Sequence, residues 1–394
     1  MIRVLIVDDS MFMRGAIKKV LTASGTFEVV GQAGDGNDAV KKAVELAPDV
    51  ISMDFNMPGM SGADAVQAIM ERRPTPIVMF SAHTTKGAKE TLDALSAGAV
   101  DFVTKPAGEV SADLSKVQDE LIRKLSQAAG SKPKKAPVMP ARAVQSPPSS
   151  GQPAVGMRGG MGSPTGSIPR PPASSPGMGM NIPMPPASSP GFSPQRTPVP
   201  SVRSGAMAAG LPKLCVIAVS TGGPVALGQL VPQLPADTRF AVVIVQHMPA
   251  HFTAALAERL NSISQVAVQE AARGDRPRPG VVLIAPGDKH LEFDDRGAVV
   301  LKDGPLVNGC KPAADVTMAS AAKVYGRRTI GVVLTGMGRD GTAGIVAIRR
   351  AEGRTLAQDE ESSVIFGMPK SAIESGAIEE VAPLGEIAAR LRYL

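Results

Sequence analysis

The sequence predicts two α/β domains in one chain: an N-terminal domain of five βα units and a larger, doubly wound C-terminal domain. Three observations carry this. Short apolar runs alternate with helix-period stretches toward both ends of the chain. A Pro-, Gly-, Ser- and Met-rich stretch interrupts the alternation between them. The 394 residues exceed one ordinary domain, and 43% hydrophobic content supplies apolar mass for two cores.

In the first domain, residues 1–120, strands are expected at 4–7, 28–30, 50–53, 77–80 and 100–103. Stretches such as 16–21 and 38–46 between them carry helix-period apolar residues. Five such units imply an open parallel sheet with helices on both faces. Residues 131–210 form the interruption. They hold few branched or aromatic residues and repeat PPASSPG at 171–177 and 185–191. Such a segment buries too little surface to offset its ordering entropy, so a disordered linker that supplies reach is expected, with a Pro-rich docking ligand as the alternative. In the second domain, residues 211–394, buried strands are expected at 214–219, 241–245, 281–285 and 330–334, with helices such as 254–260 and 343–350 between them. A mostly parallel sheet follows.

Charge and cysteine content narrow the function classes. The net charge is +6, but residues 131–210 alone hold eight Lys or Arg and no Asp or Glu. The rest of the chain is therefore slightly acidic, and no nucleic-acid partner is expected. Cys215 and Cys310 lie in no CxxC pair, which argues against a zinc site or a disulfide framework and fits a reducing cytoplasm. No apolar run approaches the roughly 20 residues of a membrane span, and the apolar start is too short for a secretory signal, so no membrane insertion is expected.

Ligands of open α/β sheets collect at the carboxyl ends of the strands. There the first domain places Asp8 and Asp9 after its first strand, Asp54 after the third, Ser81 after the fourth and Lys105 after the fifth. Three crowded carboxylates repel one another unless a cation joins them, and oxygen ligands in that number suit Mg²⁺. A lysine and a hydroxyl opposite could hold phosphoryl oxygens. A single aspartate after a strand is usually a helix cap, but the combination, with Met57-Pro58-Gly59 behind Asp54 and Pro106 behind Lys105, resembles the receiver domain of two-component response regulators. The resemblance implies Asp54 as phosphoacceptor, Asp8, Asp9 and Asp54 as Mg²⁺ ligands, Ser81 and Lys105 as phosphoryl-binding residues, Phe102 as the aromatic switch, and a cognate histidine kinase as phosphodonor.

In the second domain the strand at 214–219 runs into Ser220-Thr221-Gly222-Gly223-Pro224 before a helical stretch. A serine there is exposed near helix N-terminal amides that can hold an oxyanion. This is not the GxSxG elbow, because Ala218 stands two residues before the serine. The next strand ends at His247, and the strand at 330–334 delivers a glycine-rich turn with Asp340 at its crest. Taken singly, the serine and the aspartate read as helix caps and the histidine as a satisfied structural one. Together they supply the three residue types of a hydrolytic triad at three strand ends.

AVSTGGPVAL, VQHMPAHFTAALAERLN, IAPGDKH, VLTGMGRDGTAG and FGMPKSAI, in this order behind a receiver-like domain, closely resemble the chemotaxis-type response-regulator protein-glutamate methylesterases. The resemblance implies Ser220 as nucleophile, His247 as general base and acid, and Asp340 as its orienting carboxylate. It also implies oxyanion support near Met337, with Thr221 supporting the histidine side. The implied activity is a phosphorylation-activated serine hydrolase that demethylates γ-glutamyl methyl esters on methyl-accepting chemoreceptors and deamidates receptor glutamines. The esterase is expected to need no cofactor. Two departures stand out: the linker is long, which is expected to weaken docking of the two domains, and Cys310 stands where a basic or polar residue near the substrate face is expected.

Other classes fit less well. A catalytically dead adaptor would not keep all three triad residues. A receiver-coupled transcription factor lacks a helix-turn-helix pattern. Metal hydrolysis would need a Glu between His247 and His251, which instead straddle Pro249.

Overall fold

The computed structural model describes residues 1–81, 84–105, 114, 117–131 and 211–393. Apart from Ser131, the expected disordered linker lies outside these residues, as does Pro106.

The N-terminal sheet comprises β1 (Ile2–Val7), β2 (Phe27–Ala33), β3 (Val50–Asp54), β4 (Ile77–Ser81) and β5 (Asp101–Thr104), all parallel, in the order β2-β1-β3-β4-β5. Every residue of β3 and β4 is buried, as expected for strands covered by helices on both faces. The helices are α1 (Met11–Ala23), α2 (Gly36–Leu46), α3 (Gly62–Arg72), α4 (Thr85–Ala97) and α5 (Gln118–Ala129). Four of them begin at a side chain that accepts a first-turn amide, from Ser10, Asp35, Ser61 and Thr84 in turn. Each such cap satisfies a donor the helix cannot, a contribution of about 1 kcal/mol. The order reverses direction between β1 and β3, which opens a crevice at their carboxyl ends.

The C-terminal domain contains β6 (Lys213–Val219), β7 (Phe240–Gln246), β8 (Ala267–Glu270), β9 (Val281–Ile284), β10 (His290–Phe293), β11 (Val299–Lys302), β12 (Thr329–Val333), β13 (Arg354–Gln358) and β14 (Glu380–Ala382). Its helices are α6 (Gly223–Leu230), α7 (Phe252–Ile263), α8 (Ala314–Tyr325), α9 (Thr342–Arg350), α10 (Gly367–Glu374) and α11 (Leu384–Arg392). Seven strands form one sheet in the order β14-β13-β12-β6-β7-β9-β8, with every neighbouring pair parallel. Antiparallel strand pairing is confined to the separate β10–β11 ribbon. The four strands expected from apolar runs are all present and three of them are central. The edge strands β8 and β14, the adjoining β13 and the ribbon escape such a reading because they are short or carry polar residues.

The two domains pack against each other, so the long connection leaves their contact intact; closure entropy grows only slowly with loop length. The Phe102 ring of β5 stacks on the Phe252 ring of α7 at 4.5 Å and 13°. Lys89 of α4 pairs with Glu258 of α7 at 3.0 Å, and Arg259 of α7 with Asp93 of α4 at 2.5 Å. These rim pairs are solvent-exposed and add little. Burial of the ring pair and of the α4–α7 seam supplies most of the adhesion.

Candidate functional site

The first cluster lies at the β1/β3 crevice. Asp8, Asp9 and Asp54 each present an oxygen within 4.8 Å of the others. Lys105 follows β5 and bridges two of them, with Nζ 2.9 Å from Asp8 Oδ2 and 2.8 Å from Asp54 Oδ2. Burial pushes the Asp54 carboxyl up, Lys105 only partly offsets this, and nearby Asp8 adds to it, leaving a pKa of about 6. Burial works against the charge of Lys105, but Asp54 and Asp8 outweigh it and hold the ammonium above its ordinary value. Lys105 thus serves as an internal counter-charge for the crowded carboxylates.

Two expected members have their side chains engaged elsewhere. Ser81 is fully buried and donates its hydroxyl to the Gly87 carbonyl at 3.3 Å, in the first turn of α4. In this conformation it therefore faces α4. Phe102 is buried at the domain interface against Phe252, which fixes its ring under the C-terminal domain.

The second cluster forms where the seven-stranded order reverses, at the carboxyl ends of adjacent strands β12, β6 and β7. Ser220 follows β6, and its amide donates to Thr335 O at 3.0 Å. Gly222 turns the chain into α6 with φ 77°; a Cβ there would come within 2.7 Å of Val364, so both conformation and space call for glycine. Gly336 after β12 lets that turn approach, since its Cβ would lie 2.9 Å from Ser220 Cβ. His247 follows β7, and the buried Gln246 ties the two strand ends by donating Nε2 to Ser220 O (3.1 Å) and His247 O (3.3 Å).

Asp340 is 2% exposed, and its Oδ2 accepts His247 Nε2–H at 2.7 Å and the Ala314 amide at 2.6 Å. Its Oδ1 accepts Asn308 Nδ2 at 3.0 Å and the Asp315 amide at 3.1 Å. Burial opposes the Asp340 charge, but His247 and these donors prevail and hold its carboxyl below the usual range. Burial also opposes the His247 charge; the Asp340 hydrogen bond and the Cys310 thiol outweigh it and push the imidazole up to about 9. With Nε2 committed to Asp340, Nδ1 faces the cleft. Its hydrogen-bonding neighbour there is Cys310 Sγ at 3.5 Å, and no hydrogen bond joins His247 to Ser220 Oγ among the described residues.

Ser220, Thr221, His247, Cys310 and Met337 line one cleft of about 450 Å³. Glu120, Arg123 and Lys124 of α5 line it from the other domain, and Arg123 Nη1 lies 2.9 Å from Met337 Sδ. Thr221 was expected to support the histidine; its hydroxyl instead donates to Asp101 Oδ2 of β5 at 2.5 Å. Asp101 is buried beside Lys124, so its carboxylate draws in every nearby donor, and Thr221 is one of them. The Gly222 amide, at the start of α6, donates to Val100 O of the N-terminal domain at 3.3 Å.

Asp101, Lys124, Asn308 and the α5 lining escaped the sequence reading. Asp101 did leave a signal: a carboxylate inside the apolar run Val100-Asp101-Phe102-Val103 must find a partner once buried. Asn308-Gly309 left another, as a tight-turn dipeptide.

Comparison with known proteins agrees with both halves. The CheB methylesterase family model matches residues 215–391, and the response regulator receiver domain model matches residues 4–114. The protein-glutamate methylesterase/protein-glutamine glutaminase of Symbiobacterium thermophilum is 40% identical over 387 residues, covering 98% of this chain and 95% of that protein. The protein of the same name from Alkalilimnicola ehrlichii is 42% identical over 396 residues, covering 100% and 99%. Among solved structures, the Thermotoga maritima CheB methylesterase catalytic domain is 44% identical, covering 47% of this chain and 98% of that one, with a TM-score of 0.45. The chain belongs to the CheB methylesterase family and carries an N-terminal response regulator receiver domain.

Proposed function

We propose that the chain is a phosphorylation-gated protein-glutamate methylesterase and glutamine deamidase acting on chemoreceptors, with a receiver (residues 1–120), a linker (131–210) and a catalytic domain (211–394). The observation that carries this reading is His247, which shares one cleft with Ser220 and is backed by the buried Asp340 at three neighbouring strand ends, while α5 of the receiver walls the same cleft.

In this reading Ser220 Oγ gives its proton to His247 Nδ1 and attacks the γ-carbonyl of a glutamyl methyl ester. Asp340 keeps Nε2 protonated and balances the imidazolium that forms. Amides near Met337 stabilise the oxyanion, and His247 returns the proton to departing methanol. Water, deprotonated by His247, then frees the glutamate side chain and restores Ser220. A glutamine side chain follows the same course with ammonia leaving. His247 must turn from Cys310 toward Ser220 at the start of each cycle.

A receiver requires a divalent cation for phosphorylation, and Asp8, Asp9 and Asp54 fit one: three hard oxygen donors within 4.8 Å, now balanced by Lys105. We assign Mg²⁺. When bound, it supplies positive charge to the phosphoryl group arriving on Asp54. Lys105 holds an oxygen of that group, and Ser81 leaves Gly87 to bind another. That movement pulls on α4, whose outer face is docked on α7, and Phe102 moves with it. Loosening the seam releases Thr221 and opens the cleft, a shift between two packed arrangements. The phosphodonor is a histidine kinase. No helix among the described residues is long and apolar enough to cross a membrane, and the two free thiols suit a cytoplasmic setting.

The test is methanol release from methylated receptor membranes by the full chain, with and without a small phosphodonor and Mg²⁺. Stimulation within the roughly 5–150-fold range of ordinary coupling energies is expected. Asp54→Asn should keep basal release and lose the stimulation. Full stimulation of that variant would overturn the phosphoacceptor assignment.

A further inference from the structure

Asp340 is the least exposed of the three proposed catalytic residues, and four donors surround its carboxylate. Two are backbone amides, of Ala314 and Asp315, and one is His247. The fourth, Asn308 Nδ2, is among the described residues the only side chain besides His247 that donates to it. We propose that Asn308 is a positioning residue for the hydrolytic reaction: its amide fixes the rotation of Asp340, and so the orientation of His247. This rests on the reading of Ser220, His247 and Asp340 given above.

The local fold explains why Asn308 can do this. Val307 and Cys310 exchange backbone hydrogen bonds at 3.0 and 2.9 Å, closing a two-residue turn. Both central residues have positive φ, 52° at Asn308 and 76° at Gly309. Asn-Gly is the dipeptide that best tolerates this turn. The turn places Cys310 against His247 Nδ1 on one side and Asn308 against Asp340 on the other.

The Asn308 amide also reaches Asp315 Oδ2 at 2.8 Å, and Asp315 Oδ1 accepts the Gly344 amide of α9 at 2.8 Å. One side chain therefore ties two carboxylates that would otherwise repel, and anchors the turn to α8 and α9. With Oδ1 held by Asn308 and the Asp315 amide, Oδ2 is left directed at the imidazole. Without the Asn308 bond, Asp340 gains freedom to rotate about its terminal torsion, and misorientation of an imidazole by a fraction of an ångström is costly to rate. Asn308 stands at the cleft wall, but its amide is directed at Asp340 and Asp315 and away from any reacting atom, so its influence falls on turnover more than on substrate affinity.

Two substitutions test this in the phosphodonor-activated full chain. Asn308→Gly keeps the left-handed backbone and deletes only the amide. It should lower kcat about tenfold with KM within about twofold, and slow labelling of Ser220 by a fluorophosphonate probe, which needs no receptor, by a similar factor. Asn308→Asp is isosteric but donates only when protonated. Set between the Asp315 and Asp340 carboxylates, the new carboxyl is raised above its ordinary value, so the variant's activity relative to the parent should rise as pH falls toward 6, whereas that of N308G should not. A kcat for N308G within twofold of the parent, or a loss confined to KM, would overturn the proposal. Retention of methanol release and probe labelling by Ser220→Ala would instead overturn the underlying triad.

Discussion

The acid crevice of the receiver and the cleft of the catalytic domain occupy the same place in two related folds. Each lies at the carboxyl edge of a parallel sheet, where strand order reverses. Their electrostatics are opposite. In the crevice, like charges crowd together; Asp54 is held up at about 6, with Lys105 bridging it to Asp8. In the cleft, opposite charges meet, and His247 is held up at about 9 by Asp340 and Cys310. A repulsive cluster favours the arrival of a cation. A satisfied ion pair is poised to do nothing until it is disturbed. Switch and catalyst thus differ in whether their resting charges are frustrated or content.

The strongest way to break this comparison is to separate the two regions. Ser220→Ala should reduce methanol release at least about a thousandfold while leaving Asp54 phosphorylation at its normal extent. Loss of phosphorylation in that variant would mean the regions are not independent chemical units.

The comparison sharpens with pH. A His247 value of about 9, above its ordinary 6.5, means the charged pair stabilises the fold fully below about 6.5 and loses that contribution as pH rises through about 9. Its neutral form, the one that accepts a proton, grows over the same interval. Basal methanol release should therefore increase about tenfold from pH 7 to pH 8. Cys310→Ala removes a group that helps keep the proton on His247 and should move this limb to lower pH; a limb that stays in place would show that Cys310 has no electrostatic part. The Asp54 carboxyl shifts stability in the same direction over a lower window, though for the opposite reason: its ionised form is the disfavoured one, so stability falls as pH rises from about 4 through about 6.

Much of this was legible in the sequence, for identifiable reasons. Buried parallel strands are continuous apolar runs, so β1, β3, β4, β6, β7 and β12 announce themselves, and a polar residue at the end of such a run falls by geometry at a functional edge. Asp8, Asp54, Ser220 and His247 stand directly at such ends, with Lys105 just after β5 and Asp340 further along the turn that follows β12. What the chain hides is side-chain partnership across long separations. Thr221 and Asp101 are 120 positions apart, and neither reveals that one spends its hydroxyl on the other. Ser81 sits where its motif implies, yet a rotamer decides whether it faces Gly87 or the phosphoryl site. Asn308 is a turn residue by every local rule, and only the fold brings Asp340 to it.

The smallest expected effect concerns the rim between the domains. Glu258→Lys combined with Arg259→Glu turns two attractive pairs, with Lys89 and Asp93, into repulsive ones. Basal methanol release should rise about threefold at low salt and return toward the parent value at high salt, as exposed charges are screened. An unchanged rate at low salt would assign the seam wholly to Phe102, Phe252 and the buried Asp101.

Thr221 and Asp101 join the two domains beside the cleft that α5 walls; in the phosphorylation-gated reading, a side chain entering the cleft and a phosphoryl group on Asp54 would favour the same arrangement. Linkage makes the effect mutual: if phosphorylation raises the affinity for a glutamyl ester by some factor, the ester raises the share of phosphorylation-competent, open molecules by that factor. A dense field of methylated side chains would then prolong the working state, and their exhaustion would end it. Such a molecule would carry a timer set by its own substrate, superimposed on the signal from its phosphodonor.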